Sequence, residues 1–421
     1  MRKFSLILGV FIAASTQALA QGVTYVKAGH MVDVIDGRMR SDQVIVIKGE
    51  RIERVGARIQ IPAGAKVIDL GEATVLPGLI DMHVHLTGDP DAQGYGNLAA
   101  SVPRNALFGA ANGRRTLNAG FTTVRNVGAG GYADIALRDA INNGDVPGPR
   151  MRASGPALGI TGGHCDNNLL PPRFHAGGDG VADGPWEIRK KVRENFKYGA
   201  DVTKFCATGG VLSKGDSVGG QQYTLEEMLA IVEESHQHGR KVAAHAHGAD
   251  GIRAAIRAGV DSVEHSSLID DEGIRMARDA GTFLVMDIYN DTYILEMGEA
   301  AGFLPESLEK ERMIGQAQRD NFRKAHEAGV RMAFGTDAGV YPHGMNGKQF
   351  AYMVEYGMTP MEAIQAATVN AAELLGWPGD VGAIEAGAYA DLIAVRGNPL
   401  EDIRELEDVR FVMKGGEVFK Q

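Results

Sequence analysis

Between residues 79 and 336 the chain repeats one unit: a short apolar run that reads as a strand, followed in most repeats by a segment with helical periodicity. Eight such runs fall at 79–86, 121–127, 151–158, 202–208, 242–247, 262–266, 283–289 and 331–336. Two helices, one between runs and one after the last, carry explicit start signals. Thr224-Leu225-Glu226-Glu227 and Thr359-Pro360-Met361-Glu362 are capping boxes, in which a hydroxyl and a glutamate satisfy each other's free backbone N–H groups, and Gly239 supplies a stop. Eight strand–helix repeats favour a closed (β/α)8 TIM-type barrel over an open doubly wound sheet, which would show a glycine-rich phosphate loop after its first strand. None follows 79–86.

The two ends read differently. Gln43-Val44-Ile45-Val46-Ile47, a Lys48-Gly49-Glu50 turn and Arg51-Ile52-Glu53-Arg54-Val55 form a strand pair with period-two alternation. Near the C-terminus, 390–395, 409–413 and 417–419 have the same character, the last two separated by Lys414-Gly415-Gly416. The expected α/β organisation is therefore a catalytic barrel over 79–379 and a small β-sandwich domain from both termini, 21–78 plus 380–421. Residues 1–20 read as a signal peptide: Arg2 and Lys3, an apolar stretch from Leu6 to Ala14, then Ala18-Leu19-Ala20 as a small-x-small cleavage site. An uncleaved anchor is the alternative, disfavoured because the apolar stretch is short. The expectation is export to the periplasm or beyond, without stable membrane insertion.

A formal charge of −10 with no basic run beyond the N-terminus argues against nucleic acid and anionic membranes as partners. The two cysteines, Cys165 and Cys206, allow one bond in an oxidising compartment but make no disulfide framework; Cys206 is expected as a small buried side chain.

Chemistry in a barrel sits where strands end and the following loops begin. The first run ends His83-Val84-His85, and alternation puts both imidazoles on one side, as two ligands of one metal require. The fourth carries Lys204, whose burial demands either an internal ion pair or neutralisation by carbamylation with carbon dioxide. The fifth ends His245-Ala246-His247, the sixth carries Glu264-His265-Ser266, and the eighth ends Gly335-Thr336-Asp337. Each has a bland explanation alone. Five together at one end of a barrel do not follow from core packing.

This set resembles the metal-dependent amidohydrolase superfamily, in the branch of imidazolonepropionase-like enzymes, prolidase-like dipeptidases and ochratoxin-hydrolysing amidohydrolases. The residues carrying the resemblance are Pro77-Gly78-Leu79-Ile80-Asp81-Met82-His83-Val84-His85, Lys204, His245-Ala246-His247-Gly248, Glu264-His265, Gly335-Thr336-Asp337-Ala338 and Gly387-Ala388-Tyr389-Ala390-Asp391-Leu392. The resemblance implies two divalent metal ions, with zinc the default for such ligands. His83, His85 and Asp337 would hold one ion, His245 and His265 the other, and carboxylated Lys204 both. It implies hydroxide attack on an amide carbonyl, with Asp337 as general base and then acid. His247 is assigned to the oxyanion or carbonyl. His164, in Thr161-Gly162-Gly163-His164, is a candidate substrate contact, with a solvent-facing loop histidine as the alternative. Where many relatives read Arg-Asp, this chain reads Arg125-Asn126. Arg125 is either a carboxylate binder or an internal pair, the structural role being favoured. His236 and His238, at a helix C-terminus, are assigned no chemistry.

Tyr289, Tyr293, Met297, Phe303 and Leu304 follow the seventh run, where they either line an apolar subsite or pack the loop onto the barrel. The segment 161–184 is a candidate lid. The expected substrate is a small molecule with an amide to a C-terminal amino acid: a dipeptide, an N-acyl amino acid or an ochratoxin A-type phenylalanine amide. Hydrolysis of a cyclic amide, lactone or phosphotriester is the rival chemistry, and a non-catalytic binding or scaffold barrel the rival class. Relatives suggest a homo-oligomer.

Overall fold

The computed structural model describes residues 22–421, so the signal-peptide expectation for 1–20 lies outside it. Among the described residues no helix is long and apolar enough to cross a membrane. The chain is mixed α/β. Its first five strands are β1 (Val23–Asp33), β2 (Arg38–Lys48), β3 (Arg51–Gly56), β4 (Lys66–Asp69) and β5 (Thr74–Pro77), and its last three are β13 (Leu392–Val395), β14 (Phe411–Lys414) and β15 (Glu417–Lys420). They share one sheet in the order β15-β14-β13-β5-β1-β2-β3, with β4 beside β1. Hydrogen bonding joins all eight into one sheet. Strands from opposite ends of the chain meet where β13 runs antiparallel to β5, Leu392 opposite Pro77 and Val395 opposite Thr74. Val26, Ile45, Val75, Leu392 and Phe411 gather in one apolar core beneath it. The turns fall as expected: Gly49 at φ +61° closes β2–β3, and Gly415 and Gly416 at +56° and +77° close β14–β15, a region open to glycine without penalty.

Between these ends lie seven parallel strands. β6 (Leu79–Val84), β7 (Phe121–Asn126) and β8 (Arg150–Ala153) form one sheet; β9 (Val202–Cys206), β10 (Lys241–Gly248), β11 (Ser262–Leu268) and β12 (Phe283–Val285) form another. Backbone bonds join the two on both flanks. Leu158 N–H donates to Lys204 O at 2.8 Å and Cys206 N–H to Leu158 O at 2.9 Å. On the far flank, Leu284 N–H donates to Arg331 O, Met82 N–H to Phe334 O and Asp337 N–H to His83 O. Residues 331–337 thus hydrogen-bond to β12 and to β6 without forming a ladder of their own. Gly335 lies so close to Val285 and His83 that a Cβ there would sit 2.2 Å from a Val285 methyl, and Asp337 adopts φ +56°. The segment bends to aim Asp337, and regular pairing stops.

The third expected strand also ends early. Gly155 at φ +65° and Pro156, which lacks an N–H, close the run after Ala153. Both capping boxes form, at Thr224–Glu227 and Thr359–Glu362.

Candidate active site

His83 and His85 leave β6 on one side, as alternation requires, and meet the bent segment opposite. Asp337 Oδ1 lies 3.3 Å from His83 Nε2 and 3.1 Å from His85 Nε2. Ligand atoms bound about 2.0–2.2 Å from a cation sit roughly 3–3.5 Å apart, so this spacing is that of neighbours in one coordination sphere. His85 is oriented by its other nitrogen, 3.2 Å from Gly128 O. Beneath them, Asp81 accepts hydrogen bonds from Thr336 Oγ1 at 2.6 Å and Asn346 Nδ2 at 2.8 Å, tying β6 to the segment that carries Asp337. Burial opposes the charge on Asp337, yet His83 and His85 hold its carboxyl well below the usual carboxylate range.

A second group comes from β10 and β11. The rings of His245 and His265 are 4.6 Å apart, and His247 stacks on His265 at 4.7 Å. Ligating nitrogens of His245, His247 and His265 lie within 4.8 Å of one another, as do ligand atoms of His83, His265 and Asp337, so His265 belongs to both groups. His265 Nδ1 contacts Asp287 Oδ1 at 2.9 Å, and His247 Nδ1 contacts Ser267 Oγ at 2.8 Å. Burial and the neighbouring imidazoles hold His245 and His247 well below the ordinary histidine value. Imidazoles with one nitrogen anchored and the other free, beside a carboxylate, are the donor set that a divalent cation accepts. His265 and Ser266, at φ +68° and +52°, hold the left-handed backbone that non-glycine residues rarely adopt and that gathers at functional sites.

Lys204 lines the same cavity from β9. Burial pushes its ammonium down to about 8, against the pull of Glu264 and Asp337. Arg125 does not face the cavity. Fully buried, it donates to Glu264 Oε1 at 2.7 Å, Ser262 Oγ at 2.9 Å and Met82 O at 2.7 Å. This is the internal pair that the sequence favoured. Asn126 accepts from Leu86 N–H at 2.7 Å, a bond that needs no charge. His236 and His238 are exposed and paired with Asp261 and Glu234, away from the cavity.

His164 is no solvent histidine. Its ring stacks 4.2 Å from His245, with Nδ1 2.8 Å from Ser213 Oγ, and burial pushes it down to about 4 despite nearby Asp216. Next to it, Cys165 forms with Cys206 the one disulfide that the sequence allowed, and Cys206 is buried as expected. The loop after β8 folds back across β9 and brings the two Cα atoms to 6.0 Å. His164 is thereby fastened to the strand that carries Lys204.

His83, His85, His164, Lys204, His245, His247, His265 and Asp337 all line one cavity of about 570 Å³. Its apolar wall is Val211, Leu212, Ile294, Ile314 and Val340. Tyr289, Tyr293 and Phe303 are buried in a core cluster with Tyr341 instead, and Met297 is exposed. Sequence reasoning missed Asp287, Asn290 and Gln318. Gln318 donates to Asp287 Oδ1 at 2.9 Å, and Asn290 bridges Asp287 and Asp337 at 3.0 and 3.2 Å. Asp287 was findable, since it ends the apolar run Phe283-Leu284-Val285-Met286; the two amides sit on helices with no such signal.

A cluster of this make-up at the ends of parallel strands has the donor set that a metal-dependent hydrolase would use. The amidohydrolase family model matches residues 74–419, and the chain belongs to that family, as a hydrolase of amide bonds. It is 35% identical to the ochratoxinase of Aspergillus niger over 94% of this chain and 87% of that protein. Among solved structures, a Xaa-Pro dipeptidase with methionine bound in its active site is 41% identical, with TM-score 0.89 over 95% of this chain and 100% of that one. The A. niger ochratoxinase structure is 33% identical, with TM-score 0.84 over 95% and 96%.

Proposed function

We propose that the protein hydrolyses the amide to a C-terminal amino acid at a binuclear metal centre, at the mouth of a (β/α)8 barrel over residues 79–379. The supporting observation is the gathering of four potential histidine ligands, Lys204 and Asp337 around one cavity. His83, His85 and Asp337 would hold one divalent cation, and His245 and His265 the other. Lys204, buried and pushed towards its neutral form, would add its amine to carbon dioxide, release a proton and bridge both as a carbamate. When bound, the ions supply the Lewis acidity that polarises an amide carbonyl and eases deprotonation of water; zinc is the default.

The chain's own residues do the rest. Asp337 accepts a proton from the attacking water and passes it to the departing amine, so proton and leaving group balance. His247, anchored through Nδ1 to Ser267, presents Nε2 to the developing oxyanion. His164, held by Ser213 and by the disulfide beside it, contacts the substrate. The dipeptidase and ochratoxinase relatives support a dipeptide, an N-acyl amino acid or an ochratoxin-type phenylalanine amide as substrate. Residues 1–20 are proposed as an export signal and 21–78 plus 380–421 as the accompanying domain. A disulfide at the site suits an oxidising compartment.

The test is a panel of dipeptides, N-acyl amino acids and ochratoxin A with the metal-loaded protein. Release of the C-terminal amino acid from at least one class is expected. Turnover confined to lactones, cyclic amides or phosphotriesters would overturn the substrate reading.

A further inference from the structure

One acidic side chain in the cavity has no partner. Glu311, on the helix Pro305–Glu327, is 4% exposed, lines the cavity, and makes no hydrogen bond or ion pair with any described residue. Its neighbours on the same helix are committed. Lys310 donates to Gly210 O, Ser213 O and Asp216 Oδ1, which pins the helix to the loop after β9. Gln318 holds Asp287, and Arg319 pairs with Asp291. Glu311, Ile314 and Gln318, at i, i+3 and i+7, present one face to the cavity.

The surroundings make an unpaired carboxyl costly. Burial, with Asp291, Asp287 and Asp337 nearby, pushes it up to about 8, against the pull of Arg319. Asp89 and Asp179 also line the cavity, and Lys204 is the one lysine or arginine among its described lining residues. Away from the ligand cluster, the charged side chains of the described lining are therefore acidic. A rise of 1.5 Å per residue puts the Cα of Glu311 about 10 Å along the helix from that of Gln318, whose amide reaches the Asp287 that orients His265.

Resting on the amide-hydrolase reading above, we propose that Glu311 is a specificity residue that pairs with a cationic group, ammonium or guanidinium, at the end of a substrate side chain. The aliphatic stem of that side chain lies along Ile294 and Ile314, and its charge meets the carboxylate.

The test compares Ala-Lys with Ala-norleucine, and Lys-Ala with norleucine-Ala, on the wild type, Glu311→Gln and Glu311→Asp. The two pairs tell whether the basic residue lies on the leaving or the acyl side. The wild type should prefer one lysine dipeptide over its norleucine match by about ten- to a hundredfold in kcat/KM, the usual worth of a hydrogen bond to a charged group. Glu311→Gln should abolish that preference through KM, with kcat for the norleucine dipeptides unchanged; Glu311→Asp should restore part of it. Calorimetric binding of free lysine against free norleucine to the metal-loaded proteins judges Glu311 without turnover. If no amide is cleaved, the hydrolase reading fails while this comparison still decides. Equal binding of lysine and norleucine by the wild type, or equal losses for both in Glu311→Gln, would overturn the assignment.

Discussion

His265 Nδ1 rests 2.9 Å from Asp287 Oδ1, and that carboxylate is itself held by Gln318 and Asn290. His265 belongs to both groups of ligating atoms, so its orientation sets the geometry of the whole centre. Asp287→Asn keeps the shape and removes the charge that fixes the ring and raises its basicity. Metal affinity should fall about 10–100-fold, with the fold retained. Metal titration with circular dichroism checks this; an unchanged affinity would show that Asp287 only fills space.

Among the described residues, Arg125 is the only full cation that hydrogen-bonds Glu264, and both are buried. Removing one member of such a pair leaves an uncompensated charge in the core. Arg125→Met should cost about 3–5 kcal/mol of stability in chemical denaturation. A loss confined to substrate KM, with normal stability, would restore the carboxylate-binding role.

These two residues show what the sequence made legible. Strand ends were readable because apolar runs have to stop where polar side chains begin, so His83, His85, Lys204, His245, His265 and Asp337 stood out. The supports of those side chains were not. Gln318 and Asn290 come from helices whose polar residues look like any solvated face, and only the fold turns them inward. The eighth run read as a strand because Met332, Ala333 and Phe334 are apolar, while the close approach at Gly335 that breaks its ladder depends on Val285, fifty positions away. The aromatic residues after β12 misled for a related reason: apolar character does not distinguish a subsite wall from a core cluster.

Lys204 gives a pH signature in metal-free, carbonate-free protein. Its folded value, about 8, lies below the ordinary 10.5, so between those values the unfolded chain binds the extra proton and the native state does not. Native stability therefore rises with pH across that window, and burial of the ammonium costs stability below it. Lys204→Met should be more stable than wild type at pH 7 and should lack the rise. Urea midpoints from pH 7 to 10 decide it; parallel profiles for the two proteins would contradict the buried-amine account.

The Cys165–Cys206 bond closes a loop across 41 positions and tethers His164 over the site. The Cys165→Ser, Cys206→Ser double variant should lose about 2–4 kcal/mol of stability. It should also lose kcat/KM by more than its metal content declines. A variant as stable and as active as the wild type would mean that packing alone positions the loop.

The central claim is that Lys204, Asp337 and the histidines converge on two divalent cations that amide hydrolysis needs. Elemental analysis of the purified protein, paired with activity before and after chelation, tests it most directly. The account predicts close to two divalent ions per chain, loss of amide hydrolysis on their removal, and recovery on their return. Full activity from protein holding no bound metal would contradict it.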